Sequence, residues 1–363
     1  MSWLFVFLGF SLLIILHEAG HFFAAKATGM RVEKFFLFMG PKLVSVKRGE
    51  TEYGIAALPI GGYVKISGMN PEEELPSEVV PRAYYRKPVW QRIVVIAAGP
   101  VVNIALAFLI LFSLYYLNAQ QATQKVGEVA AGAPAAAVLK KGDQILAVDG
   151  KSYPSLDREA RLTRFGKDVA SHKCTGEQSD GCRAATPVTL TVRRNGEVRT
   201  ISVRPEYKRE YGKALIGFSY GTEPEEIGIG TAAGRAWASV WLVTHKTASV
   251  FSRIFESEQR KEISGIVGIS DVAHHTVEES VEKSLLLLAL VSLSLGLINL
   301  LPILPLDGGH IFWSLMEKLR GRPVSLRVME RATVVGIVLV VLLVFVGLSN
   351  DIGRLGGEGV SGR

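Results

Sequence analysis

The chain has 363 residues, of which 48% are hydrophobic and 21% are charged, and its net charge at pH 7 is +7. This composition is too apolar for an ordinary soluble protein and too charged for a wholly embedded one, so it favours a membrane core that carries a soluble domain. The basic residues flank apolar stretches and therefore act as an orientation signal, which leaves no reason to expect a nucleic acid as a partner.

The first apolar stretch, Leu4–Ala25, contains three ionisable side chains. As a helix it would be roughly 33 Å long, enough to cross a bilayer core of about 30 Å. His17 and His21 would lie one turn apart on one face, with Glu18 beside them, which is the HExxH pattern of zinc metalloproteases. The alternative is a pair of core histidines bonded to neighbouring helices, but charged groups in a membrane cost at least ~2.5 kcal/mol each.

The sequence predicts four membrane spans: Leu4–Ala25, Val94–Leu117, Leu285–Leu306 and Thr333–Leu348. Lysine and arginine cluster in residues 26–92 and 318–331, and such clusters remain in the cytoplasm. Both termini and the long central region are then outside. His17 would lie roughly 12 Å from the inner end of its helix, so the metal site would be within the membrane, nearer the cytoplasm.

A β-hairpin is predicted at Thr51–Gly68, with its turn at Pro59–Gly62. This segment is unusually apolar for a cytoplasmic loop. It is either a hairpin that dips into the bilayer, where protein or water satisfies its backbone, or a small surface hairpin. We expect one of its strands to pair with the substrate, with Gly61 and Gly62 as substrate-handling residues. The segment Asn70–Pro88 is predicted to be a connector.

The third span ends in two prolines, followed by Asp307 and two glycines that allow a turn. This span runs inward, so Asp307 reaches a depth comparable with His17 and His21. Asp307 is therefore the natural third metal ligand. His310 is the alternative, although it follows the turn and is expected to point toward the cytoplasm. Asn103, in the second span, either bridges neighbouring helices or has a catalytic role.

The region between the second and third spans is predicted to contain β-strands rather than a membrane-spanning helix. Val126–Tyr153 predicts a strand, a short helix and a strand, and Val188–Val203 predicts a hairpin that turns at Asn195-Gly196. The run GAPAAAVLKKGDQILAVDGK resembles a bacterial PDZ domain, a fold that binds a peptide C-terminus or extended segment by strand addition. Cys174 and Cys182 lie outside the cytoplasm, where a disulfide is allowed, and the sequence leaves that bond open.

An amphipathic helix is predicted at Thr231–Phe255, where two tryptophans and scattered cations favour a helix lying on the outer membrane surface. A helix packed under the PDZ-like domain is the alternative. His274 and His275 follow in a polar stretch and are expected to be solvated.

With HEAGH in the first span and NLLPILPLDGG in the third, the chain resembles the site-2 proteases, in particular the bacterial RseP type of intramembrane zinc metalloproteases. Two further segments, AAGPVVN (97–103) and SGIVGI (264–269), are similar to short sequence motifs of the same family. The resemblance implies that His17, His21 and Asp307 bind Zn²⁺ and that Glu18 is the general base. It also implies substrate handling by Asn103 and Asn299. The RseP type has two tandem PDZ domains, whereas this chain has room for one.

The resemblance further implies a place in the bacterial inner membrane and single-span membrane proteins as substrates. In this family such substrates are anti-sigma factors already trimmed outside, or remnant signal peptides, and the process is regulated intramembrane proteolysis. Two other classes remain: an inactive membrane scaffold that presents a PDZ domain, and a metal-handling membrane protein. The scaffold would not need Glu18 or Asp307, and the second class predicts further intramembrane carboxylates or thiols.

We therefore expect a polytopic α-helical membrane protein with about four transmembrane helices, a membrane-associated β-hairpin and an extracytoplasmic PDZ-like α/β domain. The predicted parts are an N-terminal membrane half (1–119), the PDZ-like domain (120–210), an amphipathic helix with a polar connector (211–283) and a C-terminal membrane half (284–363).

Overall fold

The computed structural model describes residues 2–70, 72–252, 280–322 and 324–355. Two compact units are present: Met1–Leu117 with Gly228–Arg363, and Asn118–Ile227. The predicted motif at 264–269 and the pair His274 and His275 lie outside the described residues.

The first unit begins with two long apolar helices, α1 (Ser2–Ala27) and α2 (Val89–Leu117). Their backbones approach closely at Gly20, where an added Cβ would lie 2.6 Å from the carbonyl oxygen of Ala98. Small residues allow such contacts between helices in a membrane, where packing replaces the hydrophobic effect as the driving force.

Between α1 and α2 the chain forms two long strands, β1 (Val32–Arg48) and β2 (Thr51–Ile66). The first half of β1 pairs with both halves of β2, so that Phe35 lies opposite Val64 on one side and Tyr53 on the other. The second half of β1 pairs with the first half of β2, as Val46 does with Tyr53. Four half-strands therefore lie side by side in the order 62–66, 32–37, 51–58 and 42–48.

The predicted hairpin within Thr51–Gly68 is therefore wrong in its pairing. Residues 59–61 join two half-strands that are not neighbours, because residues 32–37 lie between them. Val32 and Phe36 of that central half-strand are buried, and the Phe36 ring stacks on Tyr63 at 5.4 Å. This apolar segment requires cover on both sides, which a simple hairpin would not provide.

The segment that returns from the sheet to α2 is more than a connector. Its backbone is tied to the end of the sheet, since the Tyr84 N–H donates to the Ser67 carbonyl at 2.9 Å. Glu50, at the tip between β1 and β2, accepts hydrogen bonds from Arg82 and from Lys26 at the end of α1. These hydrogen bonds, with that from Arg82 the strongest influence, lower the pKa of Glu50 to about 2. The sheet is thereby fixed to α1 and to the segment that precedes α2.

The second unit is built on a five-stranded sheet in the order β6-β5-β4-β3-β9. The strands are β3 (Gln120–Val129), β4 (Gln144–Val148), β5 (Val188–Arg194), β6 (Glu197–Val203) and β9 (Phe218–Pro224). The strands β7 (Glu206–Lys208) and β8 (Lys213–Leu215) form a separate pair. The helix α3 (Arg158–Ala170) inserts Phe165 into a core that includes Val126, Ile145 and Leu190.

The predicted hairpin turn at Asn195-Gly196 is confirmed. Arg194 pairs with Glu197, and both turn residues have positive φ angles, 52° and 86°. Cys174 and Cys182 form a disulfide, so the question that the sequence left open is answered by the structure. The unit extends beyond the predicted limit at residue 210, because β9 is part of its sheet. This strand pairs with β3, with Gln120 opposite Pro224 at one end and Val129 opposite Phe218 at the other.

The amphipathic segment is helix α4 (Ile229–Ser252), and it packs on α2 through Ala236 and Val240. The Tyr115 hydroxyl of α2 shares a 2.9 Å hydrogen bond with Ser239. The sequence did not predict this contact with α2. Small residues give α4 a face that fits against another helix, while Trp237 and Trp241 remain exposed on its other side.

Three further helices complete the first unit: α5 (Val281–Asn299), α6 (Asp307–Arg320) and α7 (Leu326–Leu355). Helix α5 packs against α2, and an added Cβ at Gly296 would lie 2.9 Å from the Pro100 carbonyl oxygen. The four predicted spans are confirmed as helices long and apolar enough to cross a membrane: Leu4–Ala27, Val89–Leu117, Val281–Asn299 and Arg327–Ser349. The third ends at Asn299 rather than Leu306.

Candidate metal centre

The HExxH segment lies in the C-terminal half of helix α1. His17 and His21 are each only 7% exposed, and their ring centroids are 4.9 Å apart. One helical turn separates them, so both Nε2 atoms point to the same place, 3.2 Å from each other. The helix spacing alone thus brings two imidazole nitrogens together in a buried site.

Asp307 is brought to the same place by the first turn of α6. Its Oδ2 atom lies 3.2 Å from Nε2 of His17 and 3.4 Å from Nε2 of His21. The loop at 300–306 folds tightly under this turn, and an added Cβ at Gly308 or Gly309 would overlap its backbone. The sequence predicted a turn after Asp307, but the turn precedes it and Asp307 begins a helix.

The chemistry of these three atoms fits a bound cation. The Val95 carbonyl can only accept a hydrogen bond, so Nδ1 of His21, 2.9 Å away, donates and Nε2 of the neutral ring carries a lone pair. Oδ2 of Asp307 is buried and has no hydrogen-bond partner among the described residues. The two Nε2 atoms and this oxygen all lie within 4.8 Å of one another. Two nitrogens and one carboxylate oxygen form a typical catalytic zinc set.

Helix α2 leaves room for the two imidazoles because it carries Gly99 beside them. An added Cβ at Gly99 would overlap Nε2 of His21 and would lie 2.9 Å from Nε2 of His17. Gly99 belongs to the AAGPVVN segment, and the sequence alone did not connect this segment with the histidines. The run of small residues at 97–99 was the available signal.

A second feature that sequence reasoning missed holds α6 in place. Arg92, in the first turn of α2, donates two hydrogen bonds to the Glu317 carboxylate of α6, at 2.9 and 2.5 Å. The Arg92 guanidinium also lies 5.8 Å from the centre of the Tyr84 ring. Because a bidentate contact between a guanidinium and a carboxylate is geometrically specific, this pair orients α6, the helix that begins at Asp307, against the start of α2.

A cavity of about 400 Å³ opens in front of the three ligand atoms. Glu18 lines it, and an added Cβ at Gly62 would lie 2.9 Å from Cγ of Glu18, so the second half of β2 borders the acidic side chain directly. Among the described residues, the lining includes Asn299 but not Asn103, which is completely buried. Other lining residues are Ile14, Met39, Gly61, Tyr63, Val64, Ile66, Met69, Ile96, Leu295 and Pro305.

The half-strand at 62–66 continues from this cavity into a second one of about 480 Å³. Tyr63, Val64, Ile66 and Met69 line both. In the part of the chain that the structure describes, no strand pairs with the outer side of this half-strand. A backbone edge that can bind another strand is therefore open beside the metal centre.

Apolar helices long enough to span a membrane, one of which carries HExxH beside a carboxylate from another part of the chain, are typical of a membrane-embedded metalloprotease. The sequence model of peptidase family M50 matches residues 5–343, and the chain belongs to this family. It is a zinc metalloprotease of the inner membrane, as the resemblance predicted.

Three relatives are similar to this chain over nearly their whole length. The regulator of sigma-E protease RseP of Escherichia coli is 30% identical, with 94% of this chain and 96% of the relative aligned. The regulator of sigma-W protease RasP of Bacillus subtilis is 26% identical, with 95% and 97% aligned. The metalloprotease MmpA of Caulobacter vibrioides is 29% identical, with 95% and 93% aligned.

Proposed function

We propose that this protease hydrolyses peptide bonds within or near the transmembrane segment of single-span membrane proteins, with His17, His21 and Asp307 as zinc ligands. The observation that carries the proposal is the convergence of these three ligand atoms and Glu18 on one cavity bordered by an open strand edge. Zinc would supply a Lewis acid that polarises a carbonyl and makes water acidic enough to react at neutral pH.

Glu18 has the position and chemistry of the general base. Its carboxylate would take the proton of the attacking water and return it to the nitrogen of the leaving amine, so that one side chain serves both halves of the reaction. Asn299 lines the same cavity and offers an amide for a substrate carbonyl. Gly62 packs against Glu18 and keeps the strand close enough to hold a substrate backbone beside it.

The proposed orientation places both termini outside the cytoplasm and the active site toward it. His17 lies ten residues, about 15 Å, before the end of α1 at Ala27. The half-strand at 62–66 runs from Gly62, beside Glu18, to Ile66, which packs with Met30 just after the end of α1. A substrate paired with this edge would extend from the metal centre toward the cytoplasmic surface.

Strand addition would solve the main problem of cleavage in a membrane. A substrate helix must unwind before its peptide bond can react, and each exposed backbone group then costs several kcal/mol unless it finds a partner. The open edge at 62–66 supplies such partners without reading side chains. We therefore place the substrate strand on this edge. Ile55, in the first half of β2, is paired on both sides, with Leu37 and with Val44, and is unavailable.

Cysteine crosslinking tests this placement. In the Glu18→Gln background, which would trap uncleaved substrate, we expect cysteines at Tyr63 and Val64 to form disulfides with cysteines in the substrate span, because facing strands bring Cβ atoms to about 5 Å. Cysteines at Val44 and Val46, on the opposite edge of the same sheet, are matched controls and should not react. Crosslinking from 44–46 with none from 62–66 would contradict strand addition at this edge.

We propose further that the unit Asn118–Ile227 is a single PDZ-like domain outside the cytoplasm. Five antiparallel strands with a short turn at Pro134–Ala137 and one helix support this assignment. The alignment with RseP runs over 437 positions although this chain has 363 residues, so RseP contains insertions relative to it. One such domain would meet a peptide C-terminus or an extended segment of the substrate.

Removal of the strands and loops at Val126–Pro205 should change which substrates are cut while leaving zinc bound. If the domain excludes large substrates, the deletion admits proteins that keep bulky outer domains, such as an anti-sigma factor before its first trimming. Zinc content by elemental analysis and cleavage of trimmed and untrimmed substrates in cells give the comparison. Unchanged selectivity at equal expression would exclude a gating role.

A further inference from the structure

Asn103 lies directly behind one of the proposed zinc ligands. It follows Gly99 by one turn of α2 and is completely buried, and the nitrogen Nδ2 of its side-chain amide is 3.3 Å from Nδ1 of His17. Its backbone carbonyl accepts a hydrogen bond from the Ser292 hydroxyl of α5 at 2.9 Å. Among the described residues, the Oδ1 atom of Asn103 is buried without a hydrogen-bond partner. These contacts separate Asn103 from the cavity and connect it to the metal centre.

The direction of the hydrogen bond between Asn103 and His17 decides whether His17 can bind a metal. If the amide NH₂ donates, Nδ1 of His17 is the acceptor and the proton of the neutral ring sits on Nε2. That proton would point at His21 and Asp307 and would block the ligand position. If the amide oxygen accepts, Nδ1 carries the proton and Nε2 presents a lone pair to the metal. The two orientations of an amide differ only by exchange of O and N, so a half-turn of the Asn103 amide puts Oδ1 where Nδ2 lies.

We propose that Asn103 is a positioning residue that accepts a hydrogen bond from Nδ1 of His17 through Oδ1, and so fixes the ring that binds zinc through Nε2. This inference rests on the proposed role of His17 as a ligand. His21 has the same arrangement, since its Nδ1 donates to the Val95 carbonyl. Helix α2 thus supplies both outer partners of the HExxH histidines, one from the backbone and one from a side chain.

Such outer partners change metal affinity measurably, typically by 10–100-fold. An amide is a costly choice in an apolar helix, because both of its polar ends require partners. A role toward His17 explains why this position holds an amide rather than an aliphatic residue. It also explains the position of Asn103 one turn after Gly99, whose missing side chain lets the imidazoles lie against the same helix.

Two substitutions separate an acceptor from a donor. Asn103→Asp keeps an acceptor oxygen, whereas Asn103→Leu has a similar volume and neither donor nor acceptor. We expect N103L to weaken zinc binding by about 10–100-fold and N103D to stay within about threefold of the unmodified protein. Competition with a chromophoric chelator, on the full chain in detergent, measures these affinities. Ser292→Ala is the matched control, since it removes a hydrogen bond at the same helix contact and should leave zinc affinity unchanged.

The zinc affinities of N103L and N103D decide whether Asn103 acts as an acceptor. Wild-type affinity in N103L, or equal losses in N103D and N103L, would overturn the acceptor role. If a variant does not fold, ¹⁵N-histidine NMR of the zinc-loaded wild-type chain decides: both ligating rings should carry their proton on Nδ1, and an unprotonated Nδ1 on His17 would overturn the proposal. Loss of zinc in Asp307→Asn together with full affinity in N103L would refute this inference alone. Absence of zinc binding by the wild-type chain would refute the ligand assignment as well.

Discussion

Replacement of Glu18 by glutamine should abolish peptide-bond cleavage and leave zinc bound. The two side chains have nearly the same size, so the contact between Gly62 and the Glu18 stem remains. The amide cannot take a proton from water, and the loss of a general base typically lowers the rate 10²–10⁴-fold. None of the three ligand atoms comes from Glu18, so zinc affinity should be unchanged.

The measurement is a single-turnover cleavage rate with zinc content determined on the same sample. Equal zinc with a rate below a few per cent of wild type is the expected result. A higher rate at full zinc occupancy would show that another group takes the proton. Loss of zinc from Glu18→Gln would instead mean that the substitution disturbs the ligands, and the rate would then carry no information about proton transfer.

Replacement of Asp307 by asparagine should reduce both zinc affinity and activity. An amide oxygen is a weaker ligand than a carboxylate, and the buried charge that balances the cation is lost. We expect zinc affinity to fall by more than about 100-fold, beyond the 10–100-fold effect of outer partners. Equilibrium dialysis against buffered zinc measures the change.

His310→Ala is the matched control for Asp307→Asn. His310 lies one turn further along the same helix and was the alternative third ligand from the sequence, yet the converging ligand atoms belong to His17, His21 and Asp307. Zinc affinity in His310→Ala should therefore stay near the wild-type value. If Asp307→Asn kept one zinc per chain at full affinity and His310→Ala lost it, the ligand set would have to be reassigned.

Local spacing made the candidate metal centre predictable. His17 and His21 are one turn apart on a helix, and that geometry requires no knowledge of the rest of the fold. Asp307 is 286 positions away from His21, yet its depth followed from the count of spans and the positions of the basic residues. The structure places Asp307 beside both histidines, at a helix start rather than before a turn.

Long-range pairing made the sheet unpredictable. Residues 59–62 predict a turn but belong to β2, and nothing local shows that residues 32–37 lie between the two halves of that strand. The same limit applies to α4, whose small-residue face contacts a helix more than a hundred positions away. Gly99 and Asn103 also acquire their relation to the histidines only when α1 and α2 are side by side. Sequence patterns specify elements, whereas these contacts depend on how the elements meet.

The most direct test of the central claim is cleavage of a model single-span substrate by the purified full chain in detergent, with and without a zinc chelator. We predict cleavage within or near the substrate span, its loss when the chelator removes zinc, and its return when zinc is added back. Glu18→Gln should remain inactive under all three conditions. Cleavage that persists after complete removal of zinc, or wild-type cleavage by Glu18→Gln, would contradict a zinc-dependent active site built on His17, Glu18, His21 and Asp307.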